Sequence, residues 1–198
     1  MSTKAFSFDS YIMKGMTYPV YVDLVKDLLT EGKTTGVNQD PHLFEYAKLN
    51  IQRMERIFKT VVISEELANA VKAISEKQTW LCITEGWCGD AAQSVALFER
   101  LAELNHNITF KLVLRDENIE LIDKYLPNGG RAIPMVIALQ DGKPVWKWGP
   151  RPASLQQVVD KFKENPTVTL EDLKTQLHTW YAKNKTTDQQ MELLKLIK

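Results

Sequence analysis

The sequence predicts an α/β protein, a central mixed sheet with helices on both faces. Three observations carry this. Short apolar runs rich in β-branched residues, such as Trp80–Thr84 and Ile108–Leu114, alternate with segments whose apolar residues recur every three or four positions. Two further apolar runs, Met135–Leu139 and Val145–Trp148, flank Asp141-Gly142, a pair suited to a tight hairpin. Between Trp80 and Ser94 a buried-strand pattern passes through Glu85-Gly86 directly into a helical one, Ala91, Ala92, Val95, Ala96, Phe98, Leu101 and Ala102.

Taken in order, residues 1–16 have weak patterning and read as a segment draped over the core. Val20–Leu29 is a helix with Val20, Leu24, Val25 and Leu28 on one face, and the glycine-containing stretch Thr30–Asp40 is a loop. Asp40-Pro41 supplies a cap and a first-turn proline for a helix reaching about Phe58, with Phe44, Ala47, Ile51, Met54 and Phe58 along one side. Val61–Ile63 reads as a short strand, and Ser64 caps a helix to about Ile74. After the Trp80 strand, a helix opening at Cys88 ends near Leu104, the Ile108 strand follows, and Asn118–Leu126 is a helix closed by Pro127 and two glycines. Beyond the hairpin comes a helix over Ser154–Lys163. Pro166 breaks the chain, Thr169 and Asp172 form a capping box for a helix to about Ala182, and Thr187 opens a last helix to Ile197. The organisation is an N-terminal helical extension (1–59), an α/β domain (60–164) and a C-terminal helical extension (165–198). Neither extension has enough apolar surface to form a core alone, so both are expected to pack on the domain.

Lys plus Arg and Asp plus Glu number 25 each, so the formal net charge is zero. That argues against nucleic acid or an anionic membrane as the main partner. No apolar stretch approaches the ~20 residues of a membrane helix, and Met1–Ser10 has no signal-like apolar run. Two cysteines in 198 residues are too few for a disulfide framework, so a reducing cytoplasm is the expected compartment. Asn107-Ile108-Thr109 and Asn184-Lys185-Thr186 fit the glycosylation pattern, but without a secretion signal they read as chance. His42, His106 and His178 are isolated in sequence, and no His/Cys spacing suggests zinc.

Cys88 carries the chemistry. A thiol where a strand gives way to a helix N-terminus meets unpaired N–H groups and the positive end of the helix dipole, both of which favour thiolate. Asp90 in the first turn partly cancels that help. The expectation is an acidity somewhat stronger than that of a free thiol, with a pKa below ~8.5.

These residues resemble the thioredoxin family. Trp87-Cys88-Gly89-Asp90-Ala91 is similar to Trp-Cys-Gly-Pro-Cys with Ala91 replacing the second cysteine. Arg131-Ala132-Ile133-Pro134 resembles the segment carrying that family's cis-proline, Asp141-Gly142-Lys143-Pro144 resembles the turn of its last hairpin, and Gly149 falls where the family has a glycine near the active site. The resemblance spans roughly residues 60–164 and implies a thioredoxin-like fold. It also implies a groove in which Trp87, Gly89, Asp90, Ile133, Pro134 and Gly149 surround Cys88, with the Ile133 backbone pairing to an extended substrate.

Two departures agree with one another. Ala91 removes the resolving cysteine, and Cys82 stands where the family usually has a buried Asp that serves the second cysteine's reaction. Cys82 itself reads as a small buried hydrophobe. Cys88 is then a single working thiol, forming mixed disulfides with a protein or small-molecule disulfide. It needs an outside low-molecular-weight thiol to finish the exchange, and no other cofactor. The alternative is a redox-inactive module that keeps the fold and groove for binding. A one-cysteine peroxidase is disfavoured, because the Pro and Thr such enzymes place before their cysteine are missing. Arg115-Asp116-Glu117 reads as a solvated loop sooner than part of the site, Arg131 as an ion-pair partner or a substrate contact, and Trp146, Trp148, Trp180 and Tyr181 as core packing.

Overall fold

In the computed structural model of the protein, residues 6–164 and 169–198 are described. Four strands form one sheet in the order β2-β1-β3-β4. They are β1 (Gln78–Thr84), β2 (Ile108–Leu114), β3 (Met135–Gln140) and β4 (Lys143–Trp148). β1 runs parallel to β2 and antiparallel to β3, with Cys82 opposite Leu112 on one side and Val136 on the other. A two-residue turn joins β3 to β4, and Asp141 and Gly142 both take positive φ, +50° and +72°, as its right-handed twist requires. Trp80, Leu81, Cys82 and Ile83 are fully buried, so β1 is the spine of the core.

The helices are α1 (Asp9–Lys14), α2 (Tyr18–Thr30), α3 (Pro41–Thr60), α4 (Glu65–Lys72), α5 (Gly89–Ala102), α6 (Ile119–Ile122), α7 (Ala153–Glu164), α8 (Leu170–Asn184) and α9 (Thr187–Ile197). α3 begins as its sequence dictates: the Asp40 carboxylate accepts from the His42 N–H at 2.8 Å and Pro41 fills the first turn. It buries Ala47, Asn50, Ile51, Met54 and Ile57 and packs on α5, whose Ala91, Ala92, Val95 and Ala96 allow close approach. α8 carries the capping box of Thr169 and Asp172. Phe98 of α5 meets Trp80, Phe110 and Trp148 with ring centroids 5.4–6.1 Å apart, which ties the helix to three strands.

Three expectations are corrected. Val61–Ile63 forms no strand. It is an extended connector between α3 and α4, with Val62 82% exposed. The outer edge of β2, which such a strand would need, is taken by Met16, whose N–H and C=O exchange bonds of 2.8 and 2.9 Å with Leu112. The N-terminal segment is correspondingly more ordered than its pattern suggests: Asp9–Lys14 is helical and Phe8 is buried in the core. The helix expected over Asn118–Leu126 is cut to Ile119–Ile122, because Pro127 disfavours helical backbone at Leu126, which sits at φ −87°, ψ 89°. The expected break at Pro166 lies outside the described residues.

Candidate functional site

β1 ends at Thr84, the chain turns through Glu85 to Trp87, and Cys88 becomes the N-cap of α5 with extended backbone, φ −77° and ψ 117°. The Cys88 N–H bonds the Glu85 carbonyl at 3.1 Å, which fixes this turn. On the far side of the sulfur stands the Ile133–Pro134 bond, which is cis, and the thiol donates to the Ile133 carbonyl at 3.2 Å. Cys88 and Pro134, 46 positions apart by their residue numbers, therefore meet in one place. Gly149 backs this loop at φ +132°. A Cβ there would collide with the Pro134 carbonyl oxygen and stand 3.1 Å from its carbon, so only glycine fits. The Gly149–Pro150 bond is also cis.

The acidity expected of Cys88 is overturned. The residue is only 9% exposed, and burial pushes its thiol up to about 12. The Asp90 charge works in the same direction; the N–H groups of Ala91 and Asp90 and the Arg151 guanidinium oppose it without prevailing. Sequence alone gave the helix terminus its due but not the cover. Cys82, deeper on β1, is fully buried and also raised by burial; both cysteines are free.

The C-terminal helices pack against the turn and first helical residues around Cys88. The Tyr181 hydroxyl of α8 donates to Asp90 Oδ1 at 2.7 Å, and a Cβ on Gly89 would meet His178 Cε1 at 3.7 Å. Arg53 of α3 donates to His178 Nε2 at 3.3 Å, so the ring's proton sits on Nδ1, a buried atom without a partner among the described residues. Burial and the neighbouring Arg53 lower the His178 pKa. From α9, Gln189 donates to Ser94 Oγ at 2.7 Å, and Ser94 in turn bonds the Asp90 carbonyl at 2.8 Å. Asp90 Oδ2 accepts from Arg151 Nε at 2.9 Å and Nη2 at 2.6 Å. Arg151, Tyr181 and His178 were not placed at the site by sequence reasoning: His178 read as isolated, and Tyr181 as core packing sooner than a binding platform.

Trp87 is half-buried, with the Arg115 guanidinium 4.9 Å from its ring centroid and its Nε1 without a partner among the described residues. Arg115 thus reaches the site's flank, while Asp116 bonds Arg115. Arg131 is spent on a two-point pair with Asp123 at 2.6 and 2.8 Å. Beside the cis-proline loop a cavity of about 720 Å³ is lined by Met135, Trp148, Gly149, Pro150 and Arg151, with Lys124, Lys147 and Lys195 around it.

A thiol at a helix N-cap facing a cis-proline loop, on a sheet with one parallel and two antiparallel pairings, defines the thioredoxin class. The family model Thioredoxin_9, described as thioredoxin, matches residues 36–163, more than half of the chain, and the chain belongs to this thioredoxin family. The matched span takes in α3 as well as the α/β domain. Two solved structures are similar along almost their whole length. A protein of unknown function from Pseudomonas aeruginosa is 14% identical with a TM-score of 0.65, covering 97% of both chains. An HIV epitope-scaffold is 16% identical with a TM-score of 0.62, covering 97% of this chain and 98% of that one. At such identities they bear on the fold alone. No curated protein matches the chain.

Proposed function

We propose that this thioredoxin-fold protein performs thiol–disulfide exchange with one cysteine, forming mixed disulfides through Cys88. The observation that carries the reading is the placement of Cys88 Sγ 3.2 Å from the Ile133 carbonyl at a cis-proline loop, with the α5 N–H groups of Asp90 and Ala91 favouring the thiolate. Cys88 loses its proton to solvent and the thiolate attacks one sulfur of a disulfide. A Cys88–sulfur bond forms, the old sulfur–sulfur bond breaks, and the other half leaves as thiolate. Ala91 offers no second sulfur, so an outside low-molecular-weight thiolate attacks the mixed disulfide and regenerates Cys88. The 720 Å³ cavity lined by Met135, Gly149 and Arg151 is the nearest concave surface to the loop, and we read it as where the bulk of a disulfide substrate rests. This chemistry suits a reducing compartment such as the cytoplasm, where small thiols are abundant. No described helix is long and apolar enough to cross a membrane.

A second reading, a redox-inactive binding module, draws on the burial that pushes the Cys88 thiol up to about 12. The two separate in one experiment. The protein is treated with oxidised and then reduced glutathione and followed by intact mass. Exchange predicts gain of one glutathionyl group and its loss on reduction, both abolished in Cys88→Ser. A protein that gains nothing, while binding a partner equally well as Cys88→Ser, is the module.

A further inference from the structure

We propose that Arg151 is a positioning residue for Cys88: it pairs with Asp90 and so weakens that carboxylate's opposition to a thiolate two residues away. This rests on reading Cys88 as the working thiol. Asp90 lies in the first turn of α5, and its carboxylate is held from two sides. Arg151 grips Oδ2 with Nε and Nη2 at 2.9 and 2.6 Å, and Tyr181 donates to Oδ1 at 2.7 Å. The third guanidinium nitrogen, Nη1, bonds Gln156 Oε1 at 3.0 Å, so the fork cannot swing away. The side chains of Arg151 and Asp90 are 17% and 11% exposed, which leaves little solvent to screen them.

The groups facing Cys88 come from every element around it: Asp90 on its own helix, Arg151 after β4, Tyr181 on α8, Cys82 on β1 and Tyr21 on α2. Burial keeps Cys82 and both tyrosines neutral, so Asp90 and Arg151 are the two full charges of this set. An unpaired Asp90 would leave its full negative charge beside the sulfur; paired with Arg151 it still opposes the thiolate, but less. The usual proline of the motif would place no charge there, and the Asp-for-Pro change is workable because Arg151 stands opposite it.

The test measures iodoacetamide alkylation at pH 8 and across a pH profile from 7 to 10, with the adduct assigned to Cys88 by mass spectrometry. Asp90→Asn should react about tenfold faster than wild type and Arg151→Gln about tenfold slower, each about one pH unit of thiol acidity. Arg151→Lys, which keeps the charge but not the fork, should fall between wild type and Arg151→Gln. The sign for Arg151→Gln decides. A merely structural tie would, when cut, loosen the cover and speed the reaction, whereas the charge role slows it.

Should Arg151→Gln fail to fold, Asp90→Asn is compared with Asp90→Asn/Arg151→Gln, neither of which buries an unpaired carboxylate at this position. A role exercised through Asp90 requires the double variant to match the single, with both faster than wild type; a slower double variant would mean that Arg151 acts on the sulfur directly. The proposal is overturned if Arg151→Gln matches or exceeds wild type, or if the double variant reacts at a rate clearly different from Asp90→Asn. Alkylation needs no turnover, so the outcomes separate: the expected order without any mixed disulfide retires the exchange reading alone, and mixed disulfides without that order retire the role of Arg151 alone.

Discussion

Gly149 and Glu85 show how single residues constrain this site. Gly149 has no room for a side chain and a φ of +132°. Gly149→Ala should cost more than about 2 kcal/mol and lower the denaturant midpoint accordingly. Glu85, three residues before Cys88, is fully buried, and its Oε1 accepts the Asp116 N–H at 2.9 Å. Burial raises its pKa, and the nearby Asp116 charge adds to this. For a carboxyl raised in the folded state, the stabilising contribution is fully present below the unfolded value and is lost as pH rises through the folded one. Glu85→Gln should therefore gain melting temperature over wild type progressively from pH 4 to pH 8. A constant difference across that range would refute the assignment. Cys88 was legible in the strand-to-helix turn around it, whereas Pro134 and Gly149 were reached through the resemblance to thioredoxins; the clash a Cβ at Gly149 would meet is visible only in the folded chain. Arg151 and Tyr181 were not legible, since they meet Asp90 only across 61 and 91 positions of folded chain.

Among the elements, α8 lies against the turn that carries Cys88. It reaches the site through Tyr181, which is 5% exposed, and His178, while much of its remaining surface faces solvent. Few buried contacts make for a low local opening energy, so α8 amides should exchange with deuterium faster than those of α5. Because burial is the largest cause of the raised Cys88 thiol, removing cover should outweigh the loss of one hydrogen bond to Asp90. Tyr181→Ala should accelerate Cys88 alkylation at fixed pH, each unit of recovered acidity being tenfold in thiolate. An unchanged or slower rate would show that α8 does not set access. The hairpin and the α3 and α8 caps could be read from residues, since Asp141-Gly142, Asp40-Pro41 and Thr169 with Asp172 act within a few positions. The strand expected at Val61–Ile63 failed for the opposite reason: its β-branched composition was right, but the β2 edge already belonged to Met16.

At the scale of the whole molecule, the terminal helices and the sheet share one core. Tyr21 and Val25 of α2, Met54 of α3 and Leu193 of α9 are buried in the same cluster as β1. Periodicity picked out Val25 and Met54 but not Tyr21 or Leu193, and it set Val20, which is 53% exposed, on the packed face of α2; it showed that α8 and α9 would pack, not that they would cap the site. The account stands or falls on Cys88 being a thiol that reaches a disulfide despite its cover while Cys82, locked in the central strand, does not. The direct measurement is a peptide map after exposure of the native protein to oxidised glutathione. The account predicts a glutathionyl adduct on Cys88 and none on Cys82; an unmodified Cys88, or an adduct on Cys82 instead, would contradict it.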